Sequence, residues 1–542
     1  MGNKETKDWL WWKHGVIYHI FPLSFYDSDG DGFGDLQGIV QKLDYLSELG
    51  IDAIWLSPVY QSPMIDFGYD VSDYRKIDPV FGNMDDFRHL LQECHNRGIR
   101  LIMDMVMNHT SDQHPWFVDS KSSKDNPKRE WYIWKEPRKG RRPNNWKSAY
   151  GGSAWELEKT TGQYYLHTFF KEQPDLNWRN KELRKAFMEE FKFWLDMGVD
   201  GFRLDVINMI VKDKKFRNNP GLLMGLLGRW KWHTRNQPKS YKIVRQLRKM
   251  MDQYEERMMV GEVYTLPPGD SELAGSYLED GTSAIHLAFD FSLMFKPWSA
   301  HKYYRAIEKW YASIPMKGWP CHVFSNHDLR RLISRLGSGE NRYHRARVAA
   351  MLLLTLKGTP FIYYGEEIGM QNTPIKYQQI KDRLGKKFWP VYKGRDKART
   401  PMQWDAGEFA GFSRVVPWLP VNPDRGKINV ADQKNNRDSL YKFYQTLLQL
   451  RKRYEALHSG NWVPLVRGEK GAIVYLRIAH NQKLIVLLNF LSRKNYVSIE
   501  GGFISKVLLS THRFNNEHIE ATDLQLKPFE ATLLEDMHDQ KV

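Results

Sequence analysis

Hydrophobic residues in the first two-thirds of the chain come in short, nearly unbroken runs: Val16–Phe21, Ile51–Leu56, Ile99–Val106, Gly201–Val206, Met258–Glu262, Ile285–Phe289, Cys321–Phe324 and Pro360–Tyr364. Runs of this length that do not alternate with polar residues predict strands covered on both faces. Between them the apolar spacing turns helical, over Leu36–Leu49 (closed by Gly50), Asp85–Arg97, Lys181–Met197, Ser240–Tyr254 and Arg345–Leu356. Strand and helix in alternation predict a parallel sheet with right-handed crossovers. Eight strands predict its closure into a (β/α)8 TIM barrel, an α/β fold.

The rhythm breaks twice. Between His109 and about Asn180, Pro, Gly, Lys and aromatic residues dominate, and a loop this long predicts an inserted subdomain or lid. From about Gly460 the pattern changes to short strands with few helical stretches between them, such as Ala472–Arg477 and Leu484–Leu488. The expected organisation is a catalytic barrel over 1–109 and 180–459, a subdomain over 110–179 inserted after the third strand, and a C-terminal antiparallel, β-sandwich-like domain over 460–542.

Composition changes this picture little. Lys and Arg outnumber Asp and Glu by 80 to 64, a net charge of +16. The basic residues are scattered and often sit near acids, which predicts a solvated surface rather than a nucleic-acid groove. Cys94 and Cys321 are far apart and lack metal-ligand spacing, so neither a disulfide framework nor a zinc site is expected. The charged start, Met1–Asp8, does not read as a signal peptide, and no apolar run approaches the ~18 residues of a membrane span. A cytoplasmic location is the default expectation, without nucleic-acid or membrane partners. The 20 Trp and 27 Tyr fit sugar-contacting walls and a well-filled core equally.

Barrel enzymes carry their chemistry at the carboxyl ends of the strands. There this chain offers Asp104 and His109 after strand three, Arg203 and Asp205 at strand four, Glu262 at strand five, and His327 and Asp328 after strand seven. Arg203 and Asp205 lie two apart and share a face, so the cation is expected to hold the carboxylate ionised, as a nucleophile requires. Alone, the pair is an ordinary strand-end salt bridge; the company it keeps selects catalysis. Neighbouring strands lie about 4.8 Å apart, which suits the about 5 Å between the two carboxyls of a retaining glycosidase. Glu262, as proton donor, needs a raised pKa, which the like charges of Asp205 and Asp328 would supply. Metal-assisted hydrolysis also uses clustered acids, but no HExxH-like pair is present. A separate loop crowds Asp27, Asp29, Asp31 and Asp35 among glycines. It would repel itself unless a hard cation such as Ca²⁺ sat inside, the alternative being a solvated acidic turn. An EF-hand is excluded, because the twelfth position is Gly38 and a strand precedes the loop.

Four segments, Asp104–His109, Gly201–Asp205, Gly261–Val263 and Ser325–Asp328, resemble in order and strand placement the signature regions of glycoside hydrolase family 13, the α-amylase superfamily. Gln173–Asn177 and Arg399–Asp405 resemble its oligo-1,6-glucosidase and α-glucosidase branch, and the likeness extends over about residues 12 to 540. The resemblance implies Asp205 as nucleophile, Glu262 as general acid/base and Asp328 as transition-state stabiliser. It implies that Arg203 orients Asp205 with support from Asp104, that His109 and His327 donate to sugar hydroxyls, and that Tyr69 stacks beneath the ring. Asp66 and Arg399 resemble the pair that closes the far end of the pocket on the terminal 4-hydroxyl, making such enzymes exo-acting. Phe169 is a candidate aromatic wall, with plain packing in the subdomain as the alternative. The acidic loop matches the family's calcium loop, with Asp27, Asp29, Asp31, Asp35 and the Phe33 carbonyl as ligands.

The implied activity is an exo-acting, retaining α-glucosidase without an organic cofactor, a monomer or weak homodimer acting on short oligosaccharides. Val206, immediately after the nucleophile, resembles the 1,6-preferring form, whereas Ala or Thr accompanies 1,4 preference. The 206–240 segment also resembles α-glucosidases in which Val does not settle linkage. An α-1,4-glucosidase and a transglucosylating or isomerising relative, such as a sucrose isomerase or trehalose synthase, are the alternatives. Sucrose isomerases carry an Arg-Asp-Arg-rich loop between strands six and seven that Asp290–Lys317 lacks. A catalytically dead transporter heavy chain would need a membrane span and could lose its acids, whereas this chain keeps all three.

Overall fold

The computed structural model describes residues 9–220, 233–265 and 268–537; the charged start and the middle of the 206–240 segment lie outside them. Eight parallel strands form one sheet: β1 (Ile17–Ile20), β2 (Ala53–Leu56), β3 (Arg100–Met105), β4 (Gly201–Leu204), β5 (Met258–Gly261), β6 (Leu287–Ala288), β7 (Cys321–Val323) and β8 (Thr359–Tyr363). Their order is β6-β5-β4-β3-β2-β1-β8-β7, so chain neighbours are sheet neighbours and the sheet curls until β6 and β7 face each other. No ladder joins those two strands among the described residues, but the Cys321 thiol donates to the Ala288 carbonyl at 3.1 Å. The run Ile285–Phe289 contributes only two ladder residues, because it pairs with β5 alone.

Side-chain alternation explains why the strands read as solid apolar runs. Ile17, Trp55, Ile102, Val260, Leu287 and Phe361 pack together in the barrel interior, while Tyr18, Ile54, Leu101 and Met259 pack with the helix layer. The helix Lys181–Met197 shows how the barrel is tensioned. Asn180 caps it by accepting from the Leu183 N–H, and Gly198 ends it at φ 109°. It buries Leu183, Phe187, Phe191 and Trp194 at helical spacing. Burial of each contributes about 1.5–3 kcal/mol and fixes where β4 begins. Two helices shift from the apolar pattern: Leu36–Leu49 breaks at Lys42 into Leu36–Gln41 and Leu43–Leu49, and Ser240–Tyr254 becomes Pro238–Met251, with proline pre-set for the first turn.

The insertion after β3 folds around a three-stranded sheet (Trp134–Lys135, Trp155–Glu158 and Gln163–Leu166) with Trp146 and Trp155 in its small core. It is tied to the barrel where His109 bridges Asp175. The C-terminal strands are β9 (Asn461–Arg467), β10 (Ala472–Ala479), β11 (Gln482–Asn489), β12 (Asn495–Ser510), β13 (His518–Leu526) and β14 (Ala531–Asp536). They form one hydrogen-bonded antiparallel sheet, β9-β10-β11-β14-β12-β13, whose two halves bury a shared core that includes Val474 and Ile485 with Val497 and Leu524.

Candidate active site

Register sets the centre of the site. Asp104 on β3 stands opposite Arg203 on β4, which stands opposite Val260 on β5. Two residues further on, past the strand ends, the same face carries Asp205 and Glu262. One buried guanidinium then gathers three carboxyls. Arg203 Nη1 donates to Asp104 at 2.7 and 2.9 Å and to Asp205 Oδ1 at 2.8 Å, and Nη2 contacts Glu262 Oε2. Asp205 and Glu262 therefore hang from adjacent nitrogens of one rigid fork. Tyr69 is anchored at the same centre, its hydroxyl donating to Asp104 at 3.0 Å and lying 2.9 Å from His327 Nε2. Val206 sits at φ 36°, a strained left-handed conformation for a β-branched residue. Its amide points at Glu262 Oε2, 3.4 Å away.

Tyr69, Asp205, Val206, Glu262 and His327 line a cavity of about 240 Å³ that also takes in Asp66, His109, Phe169 and Asp328. The expected Asp66–Arg399 pair does not form. Asp66 is held instead by Arg395, at 2.7 Å, and Arg395 is fixed from behind by Asp382 at 3.1 Å. Arg399 is wholly buried and donates to Asp328 and to the His327 carbonyl, each at 2.8 Å. It positions the residues after β7 and is not part of the cavity wall. Both arginines lie on one loop, and a 3-10 turn at Asp396–Ala398 turns them in different directions. Tyr150, which no sequence pattern singles out, joins them: its hydroxyl donates to Asp66 at 3.2 Å and accepts from Arg395 at 3.4 Å. Gln173, inside a segment singled out for its resemblance, donates to Asp66 at 3.2 Å. Phe169 stands in the wall, its ring 5.1 Å from that of His109.

Electrostatics divide the acids. His327, Arg395 and Arg399 together outweigh burial and hold Asp328 well below the ordinary carboxylate range. Burial raises Asp104 to about 6 against the pull of Arg203. At Asp205 burial pushes the carboxyl up, Arg203 pulls it down, and the neighbouring Glu262 charge adds to the rise. Glu262 stands beside the same guanidinium. Burial lowers His109 to about 4 and His327 to about 3, leaving both neutral at pH 7 and suited to hydrogen-bonding hydroxyls.

Away from the cavity, Asp27, Asp29 and Asp35 converge with ligand oxygens within 4.8 Å of one another. Asp31 is not in that cluster; its carboxylate accepts from the Phe33 N–H at 2.8 Å. Asp35 is also a helix cap, accepting from Gly38 N at 2.6 Å.

The alpha amylase catalytic-domain model matches residues 19–460. The chain is 41% identical to an oligo-1,6-glucosidase of Parageobacillus thermoglucosidasius over 96% of its own length and 98% of the relative's. It is 38% identical to a glucan 1,6-alpha-glucosidase of Streptococcus pneumoniae, over 92% and 95%. Among solved structures, a variant isomaltulose synthase of Erwinia rhapontici in complex with sucrose superposes with a TM-score of 0.91 at 35% identity, covering 98% of this chain and 100% of that one.

Proposed function

Because the chain belongs to the alpha-amylase family, we propose that it is an exo-acting, retaining α-glucosidase, releasing α-glucose from the non-reducing end of short α-1,6-glucosides such as isomaltose. One observation carries this reading: Asp205 and Glu262 share the Arg203 fork in a cavity whose buried end is closed by Asp66, Arg395 and Tyr150. Asp205 attacks the anomeric carbon while Glu262 protonates the departing oxygen. Water, deprotonated by Glu262, then attacks the glucosyl ester from the same face, returning the α-anomer. Asp328, held ionised by its arginines, grips ring hydroxyls as positive charge develops at the anomeric carbon. Neutral His109 and His327 bond hydroxyls beside it, Tyr69 forms the floor and Phe169 a side wall.

Val206 supports the α-1,6 preference, because its branched side chain and fixed, strained backbone narrow the wall beside Glu262. One such methyl is worth about 1–3 kcal/mol of discrimination against α-1,4 substrates. A Ca²⁺ ion fits the all-oxygen set of Asp27, Asp29 and Asp35, with Asp31 and the Phe33 carbonyl following on the same loop. It would staple the β1–β2 connection and supply no chemistry. Small oligosaccharides are the partners, and a cytoplasmic monomer or weak homodimer is the proposed state. The test is a panel of isomaltose, maltose, panose, trehalose and sucrose followed by proton NMR from the first turnover. Isomaltose hydrolysed in preference to maltose is the expected result, with methyl α-glucoside releasing α-glucose first. Initial β-glucose from methyl α-glucoside, or isomerised sucrose in place of glucose, overturns the reading.

A further inference from the structure

A second cavity, of about 390 Å³, lies between the insertion and the short helix Arg383–Lys387. It shares Tyr150 and Phe169 with the catalytic cavity as a common partition. Beyond that partition the wall changes character. Trp155 and Phe170 are apolar, and four cations, Arg142, Lys171, Arg383 and Lys387, stand round them against two acids, Glu156 and Glu172. The cations are unequally engaged. Arg383 pairs with Glu172 at 3.2 Å, and Lys387 Nζ donates to the Tyr150 and Gly151 carbonyls at 2.8 and 3.2 Å. Arg142 and Lys171, both exposed, are in no ion pair among the described residues. Spare positive charge beside aromatic rings is the complement of a phosphate monoester of a sugar. The dianion matches the charge, and the rings suit the carbon face of the attached sugar. The volume is that of a small-molecule pocket and exceeds what bare phosphate fills.

We infer that this cavity is an effector site for a sugar phosphate, whose binding weakens the hold on the terminal glucose through Tyr150. The effect on glucose rests on the exo-acting reading proposed above; the site itself does not. Lys387 supplies the route. Its ammonium fixes the main chain of Tyr150, and the Tyr150 hydroxyl serves Asp66 and Arg395 at the closed end. A dianion is a stronger acceptor for an ammonium than a carbonyl oxygen is, so the phosphate draws Lys387 away and frees Tyr150. The helix adds a second connection, because its cap, Asp382, is also the carboxylate behind Arg395. Free and occupied states thus differ in one named contact that bears on both sites, which is what coupling between them requires.

Titration calorimetry of the full-length enzyme with glucose 6-phosphate tests the site. The double variant Arg142→Ala, Lys171→Ala should lose about tenfold or more of that affinity. Its kcat and KM without effector should be unchanged, since neither residue lines the catalytic cavity. Inorganic phosphate should bind about tenfold more weakly than the sugar ester, for want of the aromatic contacts. Glucose, which the catalytic cavity takes as product, should bind both proteins equally. In turnover, glucose 6-phosphate should raise the KM for 4-nitrophenyl α-glucoside about fivefold with kcat held. The 4-deoxy substrate and the double variant should not respond. No heat of binding, equal affinity of the two proteins, or phosphate binding as tightly as its ester overturns the site. A KM unmoved by bound effector overturns the coupling. Binding without hydrolysis of any α-glucoside overturns the proposed reaction and leaves the site standing.

Discussion

Arg395, not Arg399, contacts Asp66 at the closed end of the pocket, and one pair of variants separates their roles. Arg395 bonds Asp66 at 2.7 Å and Asp382 at 3.1 Å, and both partners are nearly inaccessible to solvent. Arg395→Lys keeps the charge but replaces a planar fork with a single ammonium, so one carboxylate loses its partner. A hydrogen bond to a buried charged group is worth about 1.5–3 kcal/mol. At about 2 kcal/mol, the loss in kcat/KM on 4-nitrophenyl α-glucoside is roughly 30-fold. If the Asp66–Arg395 pair holds the terminal 4-hydroxyl, the 4-deoxy substrate has already forfeited that interaction. Arg395→Lys should then cost it only a few-fold. Arg399→Lys loosens Asp328 instead, through the 2.8 Å contact, and should slow both substrates by the same factor. A thermal melt on each variant confirms that folded enzyme is being compared. Equal losses on both substrates for Arg395→Lys, or a 4-hydroxyl-dependent loss for Arg399→Lys, would refute the assignment.

Tyr150→Phe removes one neutral donor to Asp66 and should cost about fivefold in kcat/KM on the glucoside, with no penalty on the 4-deoxy analogue; an equal penalty on both would mean the hydroxyl only packs. Glu262→Gln should retain its melting temperature and lose most turnover on isomaltose, while α-glucosyl fluoride, which needs no proton, stays a substrate; unchanged isomaltose rates would place the acid elsewhere. Burial lowers His109 and His322 to about 4 and His114, His286 and His327 to about 3, so below pH 6.5 the unfolded chain takes up protons that the native state refuses. Asp70 and Glu366, raised by burial to about 7, and Asp104 and Asp290, raised to about 6, act in the opposite sense over about pH 4–7. Of the groups named, the five histidines are together further displaced than the four carboxyls, so Tm should fall from pH 7 to 5; a rise would show that the carboxyls dominate. Chelation with EDTA should lower Tm, and added Ca²⁺ should restore it, if the Asp27–Asp29–Asp35 cluster holds the ion; a Tm indifferent to both would show it does not.

The barrel was legible because a strand buried on both faces leaves an unmistakable mark, a run such as Ile51–Leu56 bounded by turn residues. Asp104, Arg203, Asp205 and Glu262 were legible because strand alternation fixes the face on which they stand. Arg395 and Tyr150 were not, because neither lies on a periodic element. A 3-10 turn decides which of two arginines on one loop reaches Asp66, and no spacing rule encodes it. The divided end strands behave similarly: Ile285–Phe289 reads as a full strand, but one-sided pairing leaves only Leu287–Ala288 in the ladder. Protonation was the least legible property, since Arg203 is shared by three acids rather than devoted to one.

The blind end of the pocket draws on residue 66 from the barrel's second connection, residues 150 and 173 from the insertion, and residue 395 from beyond the last strand. A ribosome must therefore emit nearly three-quarters of the polypeptide before chain-end selectivity exists at all. For the engineer the same dispersal is an opening: shortening the 380–396 connection would unplug the terminus and turn a tip-nibbling catalyst towards internal linkages, with the cleaving carboxyls left untouched on their strands.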